Sequence, residues 1–184
     1  MTNATRWAFG IFLTMLAAAP PAQAGPLRDG LAAFKRHDYA TAARHLQSPA
    51  ERGDARAQAV LCYMHTYGRG VPQSYRAAAS WCLRAAHQGN AESQYMLGLL
   101  YNKGHGVPED FIQAYKWLNL AATRASGPKR EFSHRIRDSV ASKMSPAQLA
   151  KAQARAIAWR PVPELRGSHL LASQCAADKK CREP

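Results

Sequence analysis

The sequence predicts an all-α chain: a right-handed α-solenoid of helix-loop-helix repeats closed by a C-terminal helical cap. Three observations carry that prediction. Gly68-Arg69-Gly70-Val71-Pro72, followed by Tyr75, Ala78, Trp81, Ala85 and Ala86, returns thirty-six residues later as Gly104-His105-Gly106-Val107-Pro108, followed by Phe111, Ala114, Trp117, Ala121 and Ala122. A fixed period of this size means stacked supersecondary units. Residues on both sides of the stretch recur at helical spacing, Gln94, Leu97, Gly98 and Tyr101 before it and Phe111, Ala114, Leu118 and Ala121 after it. Further apolar stripes run on to residue 159, supplying a cover for the end of the stack.

Taken in order, residues 1–24 have the pattern of a secretory signal. Arg6 gives a positive start, Trp7 to Ala19 is a short apolar run, Pro20-Pro21 ends it, and Ala22-Gln23-Ala24 is a cleavage site. The expected mature start is Gly25. No Cys follows the apolar run, which argues against a lipoprotein. Residues 25–53 read as a shortened first repeat, with Leu31 and Phe34 on one helix, a tight turn at His37-Asp38, and Tyr39, Ala42, Ala43 and Leu46 on the next. Residues 54–89 and 90–126 are the two full repeats. In each, Gly-x-Gly ends the first helix and Pro72 or Pro108 stops its continuation. Ser74 and Asp110 are suited to cap the second helix. Gly53-Asp54 and Gly89-Asn90 pair a helix-ending glycine with an N-cap residue and mark the breaks between units.

After Ala122 the repeat is lost. Ser126-Gly127-Pro128 reads as a loop. Phe132, Ile136 and Val140 then form an amphipathic stripe, and Ser145-Pro146 opens a last helix with Leu149, Ala152, Ala156 and Trp159 inward. Residues 127–159 are therefore the expected cap. Residues 160–184, with Pro161, Pro163 and Gly167 among scattered charges, are an expected irregular basic tail.

The combined pattern L-G-x-x-Y-x-x-G-x-G-V-P, then A-x-x-W-x-x-x-A-A, resembles the Sel-one-like repeat (SLR) family, a relative of the tetratricopeptide α-solenoids. Leu97 to Ala122 matches it fully. Leu61 to Ala86 departs from it at Cys62, where the family has Gly, and at His65, where it has Tyr. The resemblance implies a non-enzymatic scaffold or adaptor for another protein or peptide. Some exported, cysteine-rich members are linked to β-lactam binding or hydrolysis, so an enzyme of that kind is a minor alternative. The chain's one S-x-x-K, Ser126 and Lys129, has Gly127-Pro128 between its ends, which opposes the helical turn such a pair needs. S-D-N, K-T-G, G-x-S-x-G and H-E-x-x-H do not occur. No catalytic residue, metal ligand or cofactor is expected.

Export alters the meaning of the four cysteines. An oxidising compartment favours disulfides. Cys62 and Cys82 fall on inward stripes of consecutive antiparallel helices, and Cys175 and Cys181 share a polar tail, so the favoured pairs are Cys62–Cys82 and Cys175–Cys181. Two buried free thiols at Cys62 and Cys82 remain the alternative. The periplasm is the expected location, with full secretion second, and no membrane-spanning segment is expected in the mature chain. Candidate contact residues are Tyr67, Arg69, Tyr101, Lys103 and His105, at helix ends and loops of equivalent units. The formal net charge of +13 supports a second reading. Lys129, Arg130, Arg135, Arg137, Arg155, Arg160 and Arg166 could meet an anionic envelope surface. Nucleic acid is not expected, because no base-reading module appears.

Overall fold

The computed structural model describes residues 25–164. The signal-like segment 1–24, Arg166, and the cysteines Cys175 and Cys181 lie outside the described residues. Eight helices follow one another without a strand among the described residues: α1 (Pro26–Lys35), α2 (Tyr39–Glu51), α3 (Ala55–Tyr67), α4 (Tyr75–His87), α5 (Ala91–Lys103), α6 (Phe111–Arg124), α7 (Gly127–Ala141) and α8 (Pro146–Ala158). Each helix packs on the next along α1 to α7, and α8 packs on α6. The first helices of successive pairs also touch, α1 with α3 and α3 with α5, as in an α-solenoid.

Local chemistry sets the helix ends. Asp54, Ser74, Asn90 and Asp110 each accept backbone N–H bonds in the first turn of α3, α4, α5 and α6. Ser145 and Gln148 form a reciprocal capping box on α8. Gly68 and Gly104 end α3 and α5 in the left-handed conformation. The second glycine of each loop has a different task. A Cβ on Gly70 would overlap the backbone of Tyr39, and one on Gly106 the backbone of Tyr75. Each loop therefore seats directly on the start of the preceding unit's second helix.

The core runs through all three pairs. Ala78, Cys82, Ala85 and Ala86 of α4 and Ala114, Leu118, Ala121 and Ala122 of α6 are buried. Their small side chains let the helices approach closely. Trp117, 1% exposed, fills the space between α4, α6 and the cap, against Trp159 and His87. Cys62 and Cys82 form a disulfide across α3 and α4, with Cα atoms 5.1 Å apart.

The cap departs from expectation in three places. Gly127 and Pro128 are not in a loop; they form the first turn of α7, where proline is tolerated because its missing N–H has no helical partner there. Phe132 does not face the core. It is 50% exposed, and Ser133 takes the buried position one residue on, its hydroxyl donating to the Lys129 carbonyl. Finally, residues 160–164, after α8, are irregular but anchored to the repeats. Val162 N–H donates to the His87 carbonyl, and Glu164 joins an ion pair with Arg84.

Candidate functional site

The faces of α1, α3, α5 and α7 opposite the second helices form a groove lined by aromatic rings. Phe34 of α1 meets Tyr63 of α3 edge-on at 5.5 Å, and Tyr63 leans on Tyr67 at 4.8 Å. Two concavities open along this face. One of about 460 Å³ lies among Phe34, Tyr39, Val60, Tyr63 and Glu92. The other, about 470 Å³, lies among Ala91, Tyr95, Ala125, Phe132 and Ser133. Glu92 and Lys129 line both, and their ion pair crosses the groove between them. Both side chains of that pair are open to solvent, so the bridge is weak and displaceable.

Two hydroxyls of this face, those of Tyr67 and Tyr95, are shifted toward their neutral form. Burial pushes the Tyr67 hydroxyl above its ordinary value, and Tyr63, Tyr95 and Glu92 add to the shift. Burial and Glu92 do the same for Tyr95, against the opposing pull of Arg135. The tyrosine rings and the ring of Phe132 offer apolar area with hydrogen-bonding tips. That is a surface suited to another polypeptide. Cations border it: Lys35, Arg124 and Lys129 line the concavities, and Arg135 lies over Phe132 at 4.4 Å.

The five contact candidates lie in different surroundings. Tyr67 is 51% exposed beside the groove. Lys103 is its exposed equivalent one unit later. Tyr101 packs against the core rather than facing outward, since it continues the inward stripe of α5. Arg69 and His105 serve the stacking of units. The Arg69 guanidinium lies 6.0 Å from the Tyr39 ring centroid, and one period later the His105 ring stacks on Tyr75 at 4.4 Å. The cap repeats the contact a third time, with the Lys143 ammonium 5.3 Å from the Phe111 ring. Sequence reasoning missed Phe34, Tyr63, Tyr95 and Phe132. The available signal was that Tyr63 and Tyr95 stand off the inward stripes of their helices.

The basic residues near the cap are largely engaged. Arg130 donates to the Ala125 carbonyl, Arg137 pairs with Asp138 and bonds Asn119, and Arg160 donates to the Ile157 and Trp159 carbonyls. The obstacle expected for the Ser126–Lys129 pair is absent. Gly127-Pro128 does lie in a helical turn, but the Lys129 ammonium is bonded to Glu92. Among the described residues, no group of three or more His, Cys, Asp or Glu could hold a metal ion, and no helix is long and apolar enough to cross a membrane.

A family model described as the Sel1 repeat matches residues 55–90 and 91–126. Two solved structures are similar. A protective antigen of uropathogenic Escherichia coli displaying an SLR fold aligns at 25% identity and a TM-score of 0.64, over 84% of this chain and 32% of that one. A Sel1 repeat protein from Oxalobacter formigenes aligns at 35% identity and a TM-score of 0.52, over 55% of this chain and 40% of that one. The chain thus spans about a third of the first and two fifths of the second. No curated protein matches the sequence.

Proposed function

We propose, for a chain that carries two Sel1 repeats, that it is an exported interaction module whose α1–α3–α5–α7 groove holds a segment of another protein. Sel1 repeats generally mediate protein interactions and serve as non-enzymatic scaffolds. The observation that carries the groove assignment is the pair of aromatic concavities joined at Glu92 and Lys129. Phe132 supplies the exposed apolar anchor that a partner would cover. Export to the periplasm is supported by the signal-like residues 1–24 and by the Cys62–Cys82 disulfide, a bond kept in oxidising compartments.

A photoreactive phenylalanine analogue in place of Phe132 tests the groove. It should form a discrete adduct in an envelope fraction. The same analogue at Ile157, 76% exposed on α8, should not. Equal labelling from both positions would remove the groove from consideration. The adduct should persist in about 0.5 M salt, whereas attachment of the basic surface to anionic lipid should be lost there. Intact-mass measurement of exported protein tests the leader, with Gly25 as the expected first residue.

A further inference from the structure

A second built site lies where the end of α2, the start of α3 and the last turn of α4 meet residue Glu164. Arg84 of α4 presents Nε and Nη2 to the Glu164 carboxylate, at 3.0 and 2.6 Å from Oε1. Nη2 also donates to the carbonyls of Ala50 and Glu51, and the guanidinium lies 4.7 Å from the Trp81 ring centroid. Gln58 donates to Glu164 Oε2 at 2.7 Å and to the Ala50 carbonyl. Its own oxygen accepts from Gln88. The Arg84 and Glu164 side chains are 13% and 15% exposed. The backbone is shaped to fit as well: a Cβ on Gly53 would lie 3.0 Å from the Glu164 carbonyl oxygen.

Repeat geometry separates the stacking device from the carboxylate site. Gln94, one period after Gln58, makes the same bond to the preceding helix, from its Nε2 to the Ala86 carbonyl. Glutamine is therefore part of how units stack. Arg84 has no such counterpart, because Leu120 stands one period on. The guanidinium occurs where a carboxylate arrives, not at every junction. The arriving segment is extended and proline-flanked, Pro161-Val162-Pro163-Glu164, and is pinned midway by Val162 N–H on the His87 carbonyl.

We infer that the Arg84–Gln58 cleft is a receiving site for an extended acidic segment, and that residues 161–164 are its built-in occupant. Forked, charge-assisted bonds from arginine to a carboxylate are both strong and geometrically selective. Tethering gives the resident segment an effective concentration in the millimolar range. A competing acidic strand meets a site that is already filled, and binds when the resident carboxylate is withdrawn.

The test uses the full chain and NMR signals of the Arg84 Nε–H and Gln58 side-chain amide. Glu164→Gln should shift both signals while leaving the far-UV circular dichroism unchanged. The blocked tetrapeptide Pro-Val-Pro-Glu should move them back, saturably, in the Glu164→Gln protein. Apparent affinity for wild type should be at least tenfold weaker, because the tethered segment must first leave. A Gln-ended tetrapeptide should do nothing, and Arg84→Lys in the Glu164→Gln background should abolish the response, since a point charge cannot replace the fork. No response in Glu164→Gln, or equal titration of both proteins, overturns the proposal.

Discussion

Gly98 lies directly beneath Leu118. A Cβ on Gly98 would stand 2.6 Å from Leu118 Cγ, so the absent side chain is what lets α5 and α6 cross there. The first pair repeats the relationship, with Gly30 beneath Leu46 at 2.6 Å. In the middle pair the equivalent positions are Cys62 and Cys82, and the crossing is covalent. The disulfide replaces a small-against-large contact that the other two pairs make without it. This leads to a specific expectation. Cys62→Ala/Cys82→Ala should lose about 3 kcal/mol from the closed loop, plus a cavity cost. Cys62→Gly/Cys82→Leu should recover roughly 1–2 kcal/mol of that, because buried Leu outweighs the helical cost of Gly. Urea melts of the two double mutants decide it, and an Ala/Ala protein more stable than Gly/Leu would refute the equivalence.

The seating of loops on preceding units predicts a second effect. Gly106 combines a positive φ of 73° with backbone contact to Tyr75. Gly106→Ala should cost on the order of 2–4 kcal/mol, through strain and a clash with backbone that cannot move aside. His105→Ala removes only a half-buried stacked ring and should cost about 1 kcal/mol. Denaturant midpoints measure both.

Trp117 is the largest fully buried side chain among the described residues, packed on His87 and Trp159. Trp117→Ala should destabilise by roughly 3–5 kcal/mol. That is a large share of the 5–15 kcal/mol typical of a domain. A loss below about 1 kcal/mol would contradict its burial.

His87 makes stability depend on pH. Burial, with help from the Lys116 charge, lowers its pKa from 6.5 to about 4. The folded chain thus refuses a proton that the unfolded chain binds between those values. Stability contributed by neutral His87 is complete above pH 6.5 and is lost as pH falls toward 4. The full effect is at most about 3 kcal/mol. His87→Gln should flatten the urea-midpoint profile between pH 7 and 4.5; an unchanged slope would assign the dependence to other groups.

Phe132→Ala separates binding from folding. Half exposed, Phe132 contributes little to the core, so its removal should change stability by less than about 1 kcal/mol. Partner capture in the groove should fall at least tenfold if this ring is the anchor. Paired melts and binding assays on one preparation provide the check.

What the sequence determined by itself was most of what short-range chemistry governs, the start of α7 at Gly127-Pro128 excepted. The thirty-six-residue period located the helix pairs. Gly68 and Gly104 mark helix ends because left-handed backbone is cheap only for glycine, and Asp54, Ser74, Asn90 and Asp110 mark helix starts because their side chains reach the first free N–H groups. Helical spacing placed Trp117 and the alanine stripes inside. The tertiary structure alone decided how one unit turns against the next. That rotation put Phe132 outside and Ser133 inside, spent Arg69 and His105 on unit stacking, and gathered Phe34, Tyr63, Tyr95 and Phe132 onto one face. It also brought Glu164 to Arg84, eighty positions away in the chain. Periodicity within a helix reports which residues point inward, but it carries no information about what another helix or a returning segment will set against the outward ones.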